Sequence, residues 1–572
     1  MTSTVYTDYT TPAINAAWLN DVDKVAYQRL SAVTGTNTIT ATGPATLSAY
    51  AGTAFEFIAP NANTGAVTLN ISGIGAIAVT KNGASALVTG DILAGKACRV
   101  LFDGTQFQLL NPAVSSTVVP VTGIITPQQY GAIGNGVADD TASFTSADAF
   151  GSSVYVPKGT YKITSNIALS NQFVFLDGAI LSVNTGVTVT FNGGISAPLS
   201  RIFTLTGTAA IVFDSSQQTV GFPEWWGAVA NSSGTDCLAA INACIVACPI
   251  TQLQLADYYI SGTIVMSTAK RRLKGVNKSW TSSGGTRIIS TSGSATGILM
   301  GLASNPGSIN AQLQHVYVED VVVTRNATIV STGTVYGVLN QWTLFSGLYR
   351  CEFLEHKIGV YLSGAVQPHI TECYAFRSTV GSVPASDSFY GFFLNGASGL
   401  TAAGGNASVY FTDCTAACSL TLAQLPTNVG FGLSGPSADT FILRGEVTSC
   451  QQGVVVIGAG TQAGDADIHI TGLVMDGIGG NQGILVNGYL GALSITDNYV
   501  APSSAATSFY ALAILNSNGV VTSNNQWVCW PSTGAGGIRI DSSNGIQIGT
   551  DIVLGAAKPV EVNASSVCRI GC

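Results

Sequence analysis

The chain has 572 residues, more than one ordinary globular core uses, so several domains or one elongated repeat domain is expected. Only 9% of residues are charged and mean hydropathy is +0.37, which excludes disorder, while no apolar run reaches the roughly 18 residues of a membrane-spanning helix. A formal charge of −8 argues against nucleic acid as a partner, because phosphate binding needs clustered Lys and Arg.

Residues 1–30 carry one helical pattern, with Pro12 early and Ile14, Trp18, Leu19, Val22 and Val25 at three-to-four spacing. A lone amphipathic helix with nothing sequential to bury it is expected to dock on a partner or a symmetry mate. The same stretch has neither the basic n-region nor the apolar h-region of a secretion signal. From about 36 to 111 the period changes to two, in segments such as 38–40, 54–58, 66–71 and 99–102. Asp103-Gly104 between two apolar runs is a hairpin signal. The expectation over 31–115 is a small antiparallel sandwich or barrel without chemistry of its own.

A neck or first repeat segment over 116–220 opens at Ile125-Thr126-Pro127 and runs through Gly131, Gly134 and Gly136 to Asp139-Asp140-Thr141. The glycine run lacks both GxGxxG and a GK[ST] ending, so it reads as a turn. Adjacent carboxylates ahead of a helix read as caps rather than as a catalytic pair. A second, degraded version starts at Phe222-Pro223-Glu224-Trp225-Trp226-Gly227 and continues into a helical stripe at Leu238, Ile241 and Ile245, stopped by Pro249. The one dense basic stretch, Lys270, Arg271, Arg272 and Lys274, reads as a solvated loop.

Residues 221–572 are expected to be one receptor-binding domain, and the stretch from about 297 to 572 decides its architecture. A first motif starts at Leu348, Ile370, Phe411, Leu443, Ile470, Ile495, Val521 and Ile548. A second, as in Gly359-Val-Tyr-Leu-Ser-Gly364, recurs from 391, 430 and 483, with looser copies at 453, 512, 537 and 559. The two alternate strictly, and steps near 25 residues with short strands are those of a parallel β-helix, here expected to be right-handed. Its inward columns are apolar, with Ala513 and Leu515 standing in the coil after Ile484 and Val486. Cys351, Cys373 and Cys414 fall in one corner column and read as packed, reduced thiols. Twelve cysteines in so long a chain make no disulfide scaffold, and no paired CxxC points to zinc; neither metal nor cofactor is expected.

The outward column of the second motif (Tyr361, Phe393, Gly432, Val455, Leu485, Ile514) is apolar where solvent is expected. A further layer or another copy of the chain must cover it, and three-fold self-association about the long axis fits elongated subunits. On the first motif the outward residues are His369, Tyr410 and His469, with hydroxyls and Arg444 beside them. Rings and hydroxyls on a broad sheet suit sugars, whose apolar faces stack while their hydroxyls bond.

Ala16 to Val22 resembles the anchoring peptide of bacteriophage tail fibres and tailspikes. Thr126 to Ala142 resembles the opening of the pectate-lyase-like β-helix of phage tailspikes, and Pro223 to Ala228 its lead-in. The 36–111 segment is similar to a β-domain of tail-fibre N-termini. The resemblance implies a homotrimeric tailspike, fixed through Trp18, Leu19, Asn20 and Asp21 to tail, adaptor or portal-proximal proteins of the virion. It also implies recognition, and often cleavage, of a bacterial surface glycan such as capsule or lipopolysaccharide O-antigen; it carries over no catalytic residue.

Glycosidic hydrolysis needs two carboxyl groups, about 5–5.5 Å apart for retention or about 6.5–9.5 Å for inversion. Elimination from a uronate needs instead a base and a positive group on the sugar carboxylate. Arg350, Glu372 and Asp413 occupy one position on successive coils, with Glu352, Glu355, His356 and Arg377 close by. Catalysis is therefore expected from Glu372, Asp413, Glu352 and Glu355. Glycan contacts are expected from Arg350, His356, His369, Arg377, Tyr410, Arg444 and His469. Surface ion pairing of Arg350 with Glu372 is the structural alternative. Asp465, Asp467 and His469 with Arg444 and Glu446 form a second cluster, too poor in oxygens for calcium on its own. A depolymerising spike, a non-catalytic adhesin or rod, and a free polysaccharide lyase are the three readings left standing.

Overall fold

The computed structural model describes residues 27–43, 51–72, 74–113, 124–279, 284–326, 335–378, 388–396, 407–418, 427–435, 439–459, 467–504, 506, 508–530 and 535–571. Among them no helix is long and apolar enough to cross a membrane. The expected N-terminal helix and its Trp18, Leu19, Asn20 and Asp21 lie outside the described residues; Gln28–Arg29 is a strand. The chain divides into two compact units, with the sequence boundary between Ile124 and Ile125.

The first unit is a nine-stranded sheet over a core that includes Ile39, Phe55, Phe57, Leu69 and Val100. Asp103-Gly104 makes the expected hairpin: the Asp103 carboxylate accepts the N–H groups of Thr105 and Gln106, each at 2.9 Å, and Gly104 takes φ +109°. The sheet is mixed rather than antiparallel, because 38–42 pairs parallel with 67–71 and 76–81 parallel with 107–109. Alternation identifies a strand and its buried face, but crossovers choose its partner.

The second unit opens twice with one local structure. Pro127–Tyr130 and Pro223–Trp226 are single 3-10 turns, each closed by a glycine at φ near +95°, Gly131 and Gly227, where a side chain would be strained. Helices α1 (Thr141–Asp148) and α2 (Leu238–Ala247) follow. Asp140 accepts the Ile133 N–H at 2.7 Å, and Asp139 accepts the Thr141 N–H at 3.0 Å and the Thr164 hydroxyl at 2.7 Å. Both carboxylates are therefore staples between turn, helix and strand.

The first opening leads into three short parallel sheets and the second into two long ones, of 21 and 11 strands. Rings of Phe191, Phe203 and Trp226 at 5–6 Å spacing link both parts in one continuous hydrophobic core. Each coil of the long segment gives two strands to the larger sheet and one to the smaller, and successive coils pair in parallel, which makes a parallel β-helix. One ladder runs Leu348, Ile370, Phe411, Ile442, Ile470, Ile495, Thr522, Ile548. Ile442 and Thr522 therefore replace the expected Leu443 and Val521. In the smaller sheet Leu512 and Ile514 face inward, not Ala513 and Leu515, and Ala513 takes the outward place given to Ile514. The basic stretch 271–274 is a strand, not a loop.

Between the two strands of the larger sheet, one residue per coil is left-handed: Asp320, Arg350, Glu372, Asp413, Arg444, Gly472, Asp497 and Asn524, with φ from +46° to +72°. That residue turns the chain, and the next side chain points into the core. Three of those inward residues are the thiols Cys351, Cys373 and Cys414, each donating to a carbonyl of an earlier coil at 3.2–3.5 Å. Burial pushes the Cys414 thiol up to about 12, so these are packing groups, not nucleophiles.

Higher in the same column, the buried amides of Asn498 and Asn525 form a polar ladder with the partly buried carboxylate of Asp551. Asn525 donates to the Ile495 carbonyl at 2.8 Å and to Asp551 at 2.9 Å, while its own oxygen accepts the Asn498 amide and backbone N–H at 2.9 Å. Asn525→Ala orphans these partners and is expected to cost about 2–3 kcal/mol. A fall in the urea midpoint at unchanged slope checks it; an unchanged midpoint would remove the ladder from the list of stabilising features.

Candidate functional site

The left-handed corner places Arg350, Glu372, Asp413 and Arg444 on consecutive coils at the surface, since a turning residue cannot point inward. Arg350 does not pair with Glu372. Its guanidinium clasps Asp320 of the preceding coil at 2.6 and 2.9 Å. Asp413 is held the same way by Arg444 of the following coil, at 3.0 Å on both oxygens. Glu372 is the exposed carboxylate between these two clasps. The Arg444 hydrogen bonds keep Asp413 below the usual carboxylate range and thus ionised.

The strand after the corner brings a second outward column: Glu352, Tyr374, Thr415 and Glu446 in register. Glu352 is half-buried, and loss of solvent pushes its carboxyl upward against the opposing pull of Lys278. Lys278 comes from a loop 94 residues earlier than Glu372 and donates to the Glu372 carbonyl at 2.8 Å. Burial, then Glu352 and Glu446, push the Tyr374 phenol up to about 12. Glu352, Glu372, Asp413, Tyr374 and Lys278 thus share one face, which carries both a carboxyl biased toward its protonated form, Glu352, and one biased toward its ionised form, Asp413. Opposed environments of this kind divide acid from base in glycoside chemistry.

Lys278 and Tyr374 are absent from the candidates drawn from sequence, and Glu446 stood there only in the second cluster, with Asp465, Asp467 and His469. Tyr374, and the place of Glu446 in its column, could have been found from the register, four residues beyond Ile370 and Ile442 in the first motif. Nothing in the sequence ties Lys278 to this face.

His356 and Arg377 are corrected from glycan contacts to interior groups: each is only 1% exposed. The His356 Nε2–H donates to the Val323 carbonyl at 3.3 Å, and burial beside Arg325 pushes its pKa down to about 3, leaving it neutral. Arg377 donates to the Ser388 carbonyl at 2.9 Å. Glu355 lies at a second left-handed corner, φ +64°, and accepts the Ser378 N–H at 3.0 Å on one oxygen. Its other oxygen is buried without a hydrogen-bond partner, and burial pushes the carboxyl upward.

A raised folded-state pKa means Glu355 favours folding at low pH and loses that contribution as pH rises through the folded value. Glu355→Gln is therefore expected to raise the melting temperature by about 1 °C or more at pH 7, with a smaller gain at pH 4. Calorimetry at both values checks this, and an equal gain at both would show that charge is not the cause.

His369, Tyr410, Phe441 and His469 form one outward ladder, their rings 4.7–4.9 Å apart and within 8° of parallel. Phe441 takes the place that the misplaced register had hidden, and Leu443, not Arg444, stands beside Thr412. Stacked this way the rings offer edges rather than faces, so sugar stacking is confined to the ladder ends. In the second cluster Asp465 lies outside the described residues. Asp467 gives its backbone carbonyl to the Thr440 N–H at 2.9 Å. No group of three metal-ligating side chains occurs among the described residues.

No family model matches the sequence, and no curated protein matches it. Solved structures do. The chain is similar to ORF18 of Geobacillus virus E2, at 11% identity and TM-score 0.29, over 83% of this chain and 68% of that one. It is similar to the gp42 tailspike of Acinetobacter phage vb_AbaP_AS12, at 12% identity and TM-score 0.42, over 62% of this chain and 63% of that one. A DFA-IIIase from Arthrobacter chlorophenolicus A6 aligns at 12% identity and TM-score 0.42, over 62% of this chain and 94% of that one. No residue role transfers from any of them.

Proposed function

We propose that this protein is a virion-attached spike that binds bacterial surface polysaccharide, capsule or O-antigen, and depolymerises it by endo-glycosidic cleavage. The observation that carries the reading is one face that holds half-buried Glu352, exposed Glu372 and Asp413 kept ionised by Arg444 on three successive coils. In that reading Glu352 is the general acid that protonates the leaving oxygen. Glu372 is the base or nucleophile, and Arg444 fixes Asp413 as a permanent negative charge that favours an oxocarbenium-like transition state. Lys278 and Tyr374 position the sugar.

Attachment to the virion through residues 16–22 rests on their resemblance to tail-fibre anchors. A homotrimer is supported by the apolar outward column of the smaller sheet. The second reading, a non-catalytic adhesin, is favoured by the clasping of Asp413 and Arg350 in ion pairs, which occupies two of the charged groups on this face.

Purified protein incubated with host capsule and lipopolysaccharide separates the two. New reducing ends without absorbance near about 235 nm mean hydrolysis; the same with absorbance means elimination. Binding without new ends on a glycan the phage uses would leave the adhesin.

A further inference from the structure

Resting on that reading, we infer that a depression spanning the coil of Glu352 and the two coils before it is a subsite for an acidic sugar residue, a hexuronate or similarly carboxylated hexose. The depression, of about 440 Å³, is lined by Arg272, Tyr317, Glu319, Tyr349 and Arg350. Gly347 pairs with Tyr317 of the preceding coil and stands two residues before Tyr349, and both tyrosines line it. The outward column runs Arg272, Tyr317, Gly347, His369, so one glycine interrupts a row of large side chains. The Tyr349 ring leans into the gap, and a Cβ on Gly347 would come within 2.5 Å of it.

The polar groups around this notch are pre-set by buried or half-buried carboxylates. Glu319, 7% exposed, holds Arg272 through Nη1 at 2.8 Å, and Asp320 holds Arg350 through Nε and Nη2. Arg272 also lies 5.2 Å from the centre of the Tyr317 ring, and the Tyr317 and Tyr349 rings are 6.2 Å apart. Both Asp320 oxygens and one Glu319 oxygen are spent on the arginines. The Tyr317 hydroxyl meets His315 Nδ1 at 3.2 Å, so the groups left to a ligand are mostly donors: the remaining N–H groups of two rigid guanidiniums and the Tyr349 hydroxyl. A donor-rich notch walled by two rings selects an acceptor-rich, ring-sized ligand, and a sugar carboxylate is the match.

Isothermal titration of the full chain with glucuronate- and galacturonate-containing tetrasaccharides, and with their carboxyl-reduced forms, tests this. At least one acidic probe is expected to bind, with its reduced form about ten-fold weaker or worse. Arg272→Gln and Arg350→Gln should each weaken the acidic probe by about ten-fold or more. Gly347→Ala should weaken it without altering any charge, and Arg99→Gln, an ion-paired arginine of the other unit, should not. Equal affinity for reduced and acidic probes, no binding of either acidic probe, or indifference to both arginine substitutions overturns the subsite. If host polysaccharide is still bound or cleaved in that case, only the subsite fails; if no surface polysaccharide is bound, the spike reading fails with it.

Discussion

Glu352→Gln is expected to lower the rate of glycan cleavage by about 10²–10⁴-fold while changing glycan affinity by less than about two-fold. The amide keeps the size and hydrogen-bonding shape of the side chain but has no proton to give. Among the proposed groups Glu352 suits proton donation because burial shifts its carboxyl toward the protonated form, whereas Asp413 is biased the other way by Arg444. The sign of the pH profile follows. In the proposed mechanism activity requires Glu352 protonated, so the rate falls as pH rises through its elevated pKa.

Glu352→Gln should erase the alkaline limb from whatever rate remains, while Glu372→Gln, which removes the proposed base or nucleophile, should lower the rate at every pH. Lys278→Met removes the nearby positive charge that opposes the upward shift, so the alkaline limb should move to higher pH. Initial rates of reducing-end release between pH 4 and 9 carry the test. A Glu352→Gln variant as fast as the parent would remove the general acid and, with it, the reason for choosing this face.

Much of the β-helix was legible because its rule is local: inward columns must be apolar and corners must turn. The two lead-ins were readable from Pro, Gly and Asp spacing alone. The failures share one cause. At Ile442-Leu443, Val520-Val521 and Leu512-Ala513 two apolar residues stand side by side, and alternation cannot choose between them. A slip of one residue flips every side chain in that coil to the other face. That slip hid Phe441 from the aromatic ladder and moved Arg444 off the corner where it meets Asp413. Lys278 was out of reach for another reason, since it approaches Glu372 from a loop whose course no periodicity encodes. His356 and Arg377 misled because a His or Arg near carboxylates in sequence looks like a site, and only the coil geometry turns them inward.

Leu485→Arg is expected to convert the assembled protein to monomers without unfolding the β-helix. The smaller sheet turns outward Val265, Leu299, Leu339, Tyr361, Phe393, Gly432, Val455, Leu485 and Ala513 on successive coils before Arg539 and Glu561 end the run. At about 4.8 Å per coil that strip is roughly 40 Å long, which a soluble surface does not leave bare. Tyr336, Tyr361, Phe393 and Tyr390 pack ring on ring along it, at 4.7–5.6 Å. Leu485 sits between Val455 and Ala513, so a charge there would be buried against a second copy with no partner, a cost of several kcal/mol at each interface. The folded subunit loses little, because the Leu485 side chain makes no part of the inward column of Val454, Ile484 and Leu512. Sedimentation velocity on parent and variant at equal concentration decides it: a trimeric parent and a monomeric variant with unchanged circular dichroism are expected. A monomeric parent would mean that something other than a second copy of this chain covers the strip, and a variant that stays trimeric would move the interface to another face.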